Sequence, residues 1–169
     1  MKGQDSQSIS CCNSSRVLVG GLAANDFGTL DKLAVKLICL DSRFDAPLRD
    51  IGRVLGYRIS KEQEKLPSFD AALLSLISAC GLDGVIEATF LSTDDDSARL
   101  QVTGCAEVLG WQIPNLGRAV CSFDAGLFEG FLCGTTGEDA LGVQEVSCLG
   151  LGEPACEFLI QRKERVNNG

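Results

Sequence analysis

Three thiols and a carboxylate, Cys121, Cys148, Cys156 and Glu145, are the side chains whose types and spacing best suit chemistry. Glu145 precedes Cys148 by three residues, and the loop Leu-Gly-Leu-Gly-Glu-Pro-Ala separates Cys148 from Cys156. The chemistry they offer is metal ligation. The sequence contains no histidine, so any metal site must be built from thiolates and carboxylates, a soft donor set that selects zinc. Three thiolates and one carboxylate close a tetrahedral shell and leave no open position, as in a structural rather than a catalytic site. This spacing is not a standard Cys-x-x-Cys motif, and the same residues also read as buried thiols beside a surface carboxylate.

The missing histidines exclude Ser-His-Asp and Cys-His nucleophilic machinery, histidine-ligated haem and a three-histidine catalytic zinc. Acid–base chemistry near neutral pH would fall to Asp, Glu, Cys, Lys or the single tyrosine, Tyr57, which weighs against an enzyme. At 169 residues and 45% hydrophobic content, the chain suits one domain with a sizeable core. A net charge of -8 argues against general affinity for nucleic acid or anionic membranes, which need clustered Lys and Arg. Nine cysteines without a small-domain disulfide spacing, no apolar signal centre and no membrane-length apolar stretch lead to the expectation of a reduced, cytoplasmic protein.

The elements around the four residues must bring them together. Residues 1–15 are polar and Ser-rich and are expected to form a flexible arm, 16–162 one domain and 163–169 a polar tail. Residues 16–22 read as a short strand. Thr29 is placed to cap a helix to Leu40 with Leu30, Leu33, Ala34, Leu37 and Ile38 inward. Pro47 suits the first turn of a second helix with the stripe Leu48, Ile51, Leu55 and Ile59. Ser68 caps a third, which buries Phe69, Leu73, Leu76, Ile77 and Cys80 and ends at Gly81.

The period then changes to two, so that residues 84–92 and 98–103 read as a hairpin around an acidic turn. Residues 105–120 read as a short helix and loop. A fourth helix spans 122–133, and strands at 141–147 and 156–161 form a second hairpin. Strand pairing then brings Cys148 to Cys156, while Cys121 stands before the fourth helix, where free amides and the helix dipole favour a thiolate. The expected class is α+β, with helices packed mainly on one face of a four-stranded antiparallel sheet. Gly126, Gly130 and Gly134 form a column on the fourth helix that reads either as close packing against the sheet or as room for a ligand.

A Glu, a Cys three residues later, glycines and then Cys-x-Phe, here Glu145, Cys148, Gly150, Gly152, Cys156 and Phe158, resemble the C-terminal signature of the 4-vinyl reductase-like, hydrocarbon-binding domain family. Cys121 opening a helix with Gly126 and Gly130 is similar to the preceding family element. The resemblance is specific over roughly residues 119–162 and architectural over 28–104. It implies the fold shared by haem nitric-oxide-sensing domains and Golgi transport-particle (TRAPP) subunits, often a homodimer, with a structural zinc and an apolar pocket for a small aromatic effector. The DNA-binding and ATPase domains of phenol- and xylene-sensing activators of this type are not in the sequence, so signalling would need a partner protein.

Three functions follow as expectations. The first is a binding or sensing module for a small hydrophobic molecule, aromatic or tetrapyrrole, whose pocket would draw on Phe90, Trp111, Phe123, Leu127 and Phe131 by their strand and helix period. Without histidine, Trp111 or Tyr57 would have to hydrogen-bond a phenol-type ligand. The second is a tetrapyrrole vinyl reductase of (bacterio)chlorophyll metabolism, disfavoured because the sequence shows neither a nicotinamide nor a flavin fingerprint. The third is a ligand-free dimeric assembly factor.

Overall fold

The computed structural model describes residues 24–61, 66, 68, 71–72, 74–75, 78, 87–93, 97–103, 110–137 and 141–162. The expected arm, the strand at 16–22, the inward side chains of the third helix and the polar tail lie outside them. Helix α1 (Ala24–Leu40) begins before Thr29, which lies inside the helix rather than at its cap. No proline interrupts residues 24–28, and the one glycine there, Gly28, costs a helix only about 1 kcal/mol. Ala34, Val35 and Ile38 are buried, while Leu33, expected inward, points out to the side of that face and is exposed.

After a 3-10 turn (Ser42–Phe44), helix α2 (Asp45–Ser60) starts with Pro47 in its first turn, where backbone N–H groups lack intrahelical acceptors. Its buried face is Gly52, Leu55, Gly56, Ile59 and Ser60. Ile51, expected on the apolar stripe, is exposed instead. Ala71, Ala72, Leu74, Ser75 and Ser78 are helical, and the Ala72 N–H donates to the Ser68 carbonyl at 3.1 Å, in keeping with a third helix opened by Ser68.

Strands β1 (Glu87–Thr93), β2 (Ser97–Thr103), β3 (Leu141–Ser147) and β4 (Cys156–Arg162) make one antiparallel sheet among the described residues, in the order β1-β2-β4-β3. Ala98, Leu100 and Val102 alternate inward on β2, and Cys156, Phe158 and Ile160 on β4. Between β2 and the next helix, residues 110–120 carry no helix, where the sequence reading placed a short one; Gly110, Pro114 and Gly117, two of them at positive φ, favour turns there. Helix α3 (Ser122–Thr136) follows and ends on Gly137 in the left-handed conformation.

The glycine column of α3 faces α2, not the sheet and not open space. A Cβ on Gly126 would sit 2.0 Å from the Arg49 carbonyl oxygen, and one on Gly130 would sit 1.9 Å from that of Arg53. The approach is reciprocal: Gly52 and Gly56 of α2 abut the carbonyls of Phe123 and Leu127 at 2.2 and 2.1 Å by the same measure. Two backbones in contact leave no room for a ligand, so that reading of the column is withdrawn. The pair is fastened to the sheet edge by Arg49, whose Nη2 donates to Glu129 Oε2 at 2.6 Å and to the Val143 carbonyl at 2.5 Å, while the Val143 N–H donates to Glu129.

Candidate metal centre

The hairpin and the start of α3 bring four donors to one point. Cys121 is the N-cap residue of α3, Cys148 leads from β3 into a 3-10 turn (Leu149–Leu151), and Cys156 opens β4. Glu145 lies on β3 just before a register shift between Glu145 and Ser147. In a regular strand, positions three apart point to opposite faces; the irregularity at Val146 changes that parity and lets Glu145 and Cys148 reach the same site. One donor atom from each of Cys121, Glu145, Cys148 and Cys156 lies within 4.8 Å of all the others.

The distances fit a shared cation. Cys121 Sγ stands 3.8 Å from Cys148 Sγ and 3.6 Å from Cys156 Sγ, far beyond a disulfide bond. Zinc–sulfur bonds of about 2.3 Å in a tetrahedron put sulfurs about 3.8 Å apart. Backbone N–H groups of Val120 and Gly150 both donate to Cys148 Sγ at 3.4 Å, the environment a thiolate acceptor requires. Glu145 Oε2 accepts the Cys121 N–H at 3.0 Å, which fixes the carboxylate at the helix start. Its other oxygen, Oε1, is buried without a hydrogen-bond partner and is free to bind a cation.

Without a cation the site resists ionisation. The contacts with Cys148 and Cys156 push the Cys121 thiol well above its usual range, and burial adds to this. Cys148 is drawn down by Cys121 but raised further by Cys156, by burial and by the neighbouring acids. Burial lifts Glu145 to about 7, although Cys148 works against it. A divalent cation reverses this balance, because it stabilises the deprotonated form of every ligand. The residues present therefore fit a metal ion, and the cluster could hold one.

Two acids missed in the sequence reading lie beside the cluster. Asp31 of α1 and Asp124 of α3 are joined by a side-chain hydrogen bond. Burial raises Asp31 to about 6, helped by the charge of Cys156, and burial with the charge of Asp31 raises Asp124. Asp31 Oδ1 is itself buried without a partner. The signal was available: Asp31 lies between Leu30 and Ala34 in the middle of the apolar face of α1, where a carboxylate needs a reason. Arg118 is a second omission; its guanidinium donates to the Ile38 carbonyl near the end of α1, where positive charge is favoured.

With the site's geometry in place, sequence comparison supplies its family. Residues 99–162 match the 4-vinyl reductase (V-4-R) domain. The matched segment runs from β2 through β4 and includes all four ligands. A search of curated protein sequences returns no match. Among solved structures, the phenol-responsive sensory domain of the transcription activator PoxR, with phenol, is similar at 19% identity and TM-score 0.57, over 87% of this chain and 78% of that one. A trafficking protein particle complex subunit 3 from Naegleria fowleri, covalently bound to palmitic acid, is similar at 14% identity and TM-score 0.61, over 83% and 95%. At these identities the likeness is one of fold, and it agrees with the family match.

The expected pocket residues are placed differently from one another. Phe123, Leu127 and Phe131 are buried core residues of α3, Trp111 packs half-buried against that core, and the side chain of Phe90 lies outside the described residues. Tyr57 is exposed on α2 and does not reach the interior. Trp111 Nε1 is buried and has no hydrogen-bond partner. A groove of about 370 Å³, lined by Arg49, Ser122, Gln144 and Glu145 among others, leads to the carboxylate ligand. No helix among the described residues is long and apolar enough to cross a membrane.

Proposed function

We propose that the chain is a homodimeric binding or sensing domain for a small hydrophobic molecule, stapled by a structural zinc ion on Cys121, Glu145, Cys148 and Cys156. The observation that carries the binding reading is the buried, unpartnered indole N–H of Trp111 beside the apolar core. A buried donor without an acceptor costs about 1–3 kcal/mol, and a ligand with an apolar body and one acceptor oxygen or nitrogen would relieve that cost. The two structural neighbours, solved with phenol and with palmitic acid, support a fold that encloses such molecules. Aromatic and tetrapyrrole ligands both meet the requirement.

Zinc, when bound, supplies Lewis-acid bonds to three thiolates and a carboxylate; the chain's own residues do the positioning. Glu145 holds the start of α3 through the Cys121 N–H, and Cys148 gathers the amides of Val120 and Gly150. The hairpin, the segment before α3 and α3 itself thus become one unit on which Trp111 and Phe123 are carried. Native mass spectrometry of the purified protein tests the reading. The expected spectrum shows one zinc per chain and a small-molecule adduct, or saturable uptake of added phenol, palmitate or a tetrapyrrole. Absence of any saturable uptake, with Trp111→Phe melting at the same temperature, would overturn it.

A further inference from the structure

One face of α2 is spoken for and the other is not. Gly52 and Gly56 press one side of the helix against α3, while Ile51, Val54 and Tyr57 stand 55%, 53% and 44% exposed on the opposite side. Together with the exposed Pro47, Asp50, Arg58 and Lys61, they form a single stripe at the 3-4 spacing of a helix-pairing seam, centred on Val54. Three large apolar side chains in succession on one solvent-facing stripe are unusual for a face that stays in water.

The charges on this stripe select its partner. If a second copy of α2 lies antiparallel across a two-fold axis at Val54, residues equally spaced before and after Val54 come level with one another. Ile51 then stands level with Tyr57 of the copy, and Asp50 stands level with Arg58 of the copy, twice over by symmetry. A parallel pairing would set Asp50 against Asp50 and Arg58 against Arg58, and like charges at close range are disfavoured. Within one chain Asp50 has only the exposed Arg53, at 3.9 Å, a weak and screened pair. Beside the stripe, a groove of about 410 Å³ between α2 and α3, lined by Val54, Tyr57, Glu129 and Cys133 among others, offers further surface for the copy to cover. That surface is needed, since a stable interface buries roughly 1,200 Å² or more and one helix stripe supplies only part of it.

We infer that the chain forms an isologous dimer through the exposed stripe of α2, with Val54 on the two-fold axis and Asp50 of each copy facing Arg58 of the other. This rests on the reading of the domain as a homodimer and names its contact face. Sedimentation velocity on the full chain, with circular dichroism as a folding control, tests it. Asp50→Arg and Arg58→Asp are each expected to weaken the dimer at least tenfold, Val54→Glu to give monomers, and the double reversal D50R/R58D to restore dimerisation. All these positions are exposed, so the variants are expected to melt like the parent protein. A wild-type monomer at tens of micromolar would sink the homodimer reading itself. A dimer indifferent to Val54→Glu, or single reversals that the double variant does not rescue, would leave the dimer standing and reject this face. Metal content and ligand uptake are read separately and decide neither outcome.

Discussion

The α2–α3 seam and the thiol corner are both places where the chain packs against itself without slack, yet they are held in opposite ways. At the seam, glycines on both helices let backbone meet backbone, and the contact is complete with what the chain supplies. At the corner, Cys121, Cys148, Cys156 and Glu145 crowd acidic groups that burial and mutual contact keep from ionising. The seam tolerates nothing added, and the corner is unfinished without a cation. Close packing in one molecule therefore records two causes, steric fit and an implied ligand, and the two respond to different perturbations.

Removing a donor from the corner should have the largest effect. Cys156→Ser is expected to lose metal and stability together, by more than about 5 kcal/mol, a large share of the roughly 10–16 kcal/mol that structural zinc supplies in small domains. Metal analysis and thermal melting of the same preparation check this; unchanged metal content with an unchanged melting temperature would refute it. Next comes the seam: Gly130→Ala drives a methyl group into the Arg53 carbonyl and should cost about 3 kcal/mol, at the upper end of overpacking penalties. Denaturant unfolding measures it, and metal content should not change. A loss of metal in Gly130→Ala would show that the two regions are not separate.

Acidity sharpens the contrast. Glu145, at about 7, and Asp31, at about 6, both lie above their ordinary values in the metal-free fold. A raised carboxyl pKa stabilises the fold below the unfolded-state value, and that stabilisation is lost as pH rises through the folded-state value. The metal-free protein should therefore melt progressively lower between about pH 4 and 7. The metal-loaded protein should do the reverse, because protons compete with the metal for its ligands. Melting curves with and without chelator across this range check the sign, and a metal-free melting temperature that rises with pH contradicts it. The smallest effect belongs to Gly28→Ala in α1, where nothing lies within 4 Å of the added methyl; it should be neutral or stabilise by up to about 1 kcal/mol.

The same contrast explains what could be read in the sequence. The corner was legible because its chemistry resides in residue types: three cysteines and a glutamate around a hairpin loop have few other uses in a chain without histidine. Strand limits and the α3 start were legible from the change of period. The seam was misread because hydrophobicity assigned α2 the stripe Leu48, Ile51, Leu55 and Ile59, whereas the close approach demands positions without a Cβ. Gly52 and Gly56 take the buried face, and Ile51 is turned outward. Asp31 was missed for a related reason, since an acid inside an apolar stripe reads as an interruption until its neighbour Asp124, on a distant helix, is known.

The account's central claim is that the corner is a closed four-ligand zinc site. X-ray absorption at the zinc edge of the purified protein tests it most directly. The account predicts one zinc per chain with three sulfur ligands at about 2.3 Å and one oxygen at about 2.0–2.2 Å. A protein that folds cooperatively without metal, and whose melting temperature a chelator leaves unchanged, would contradict it.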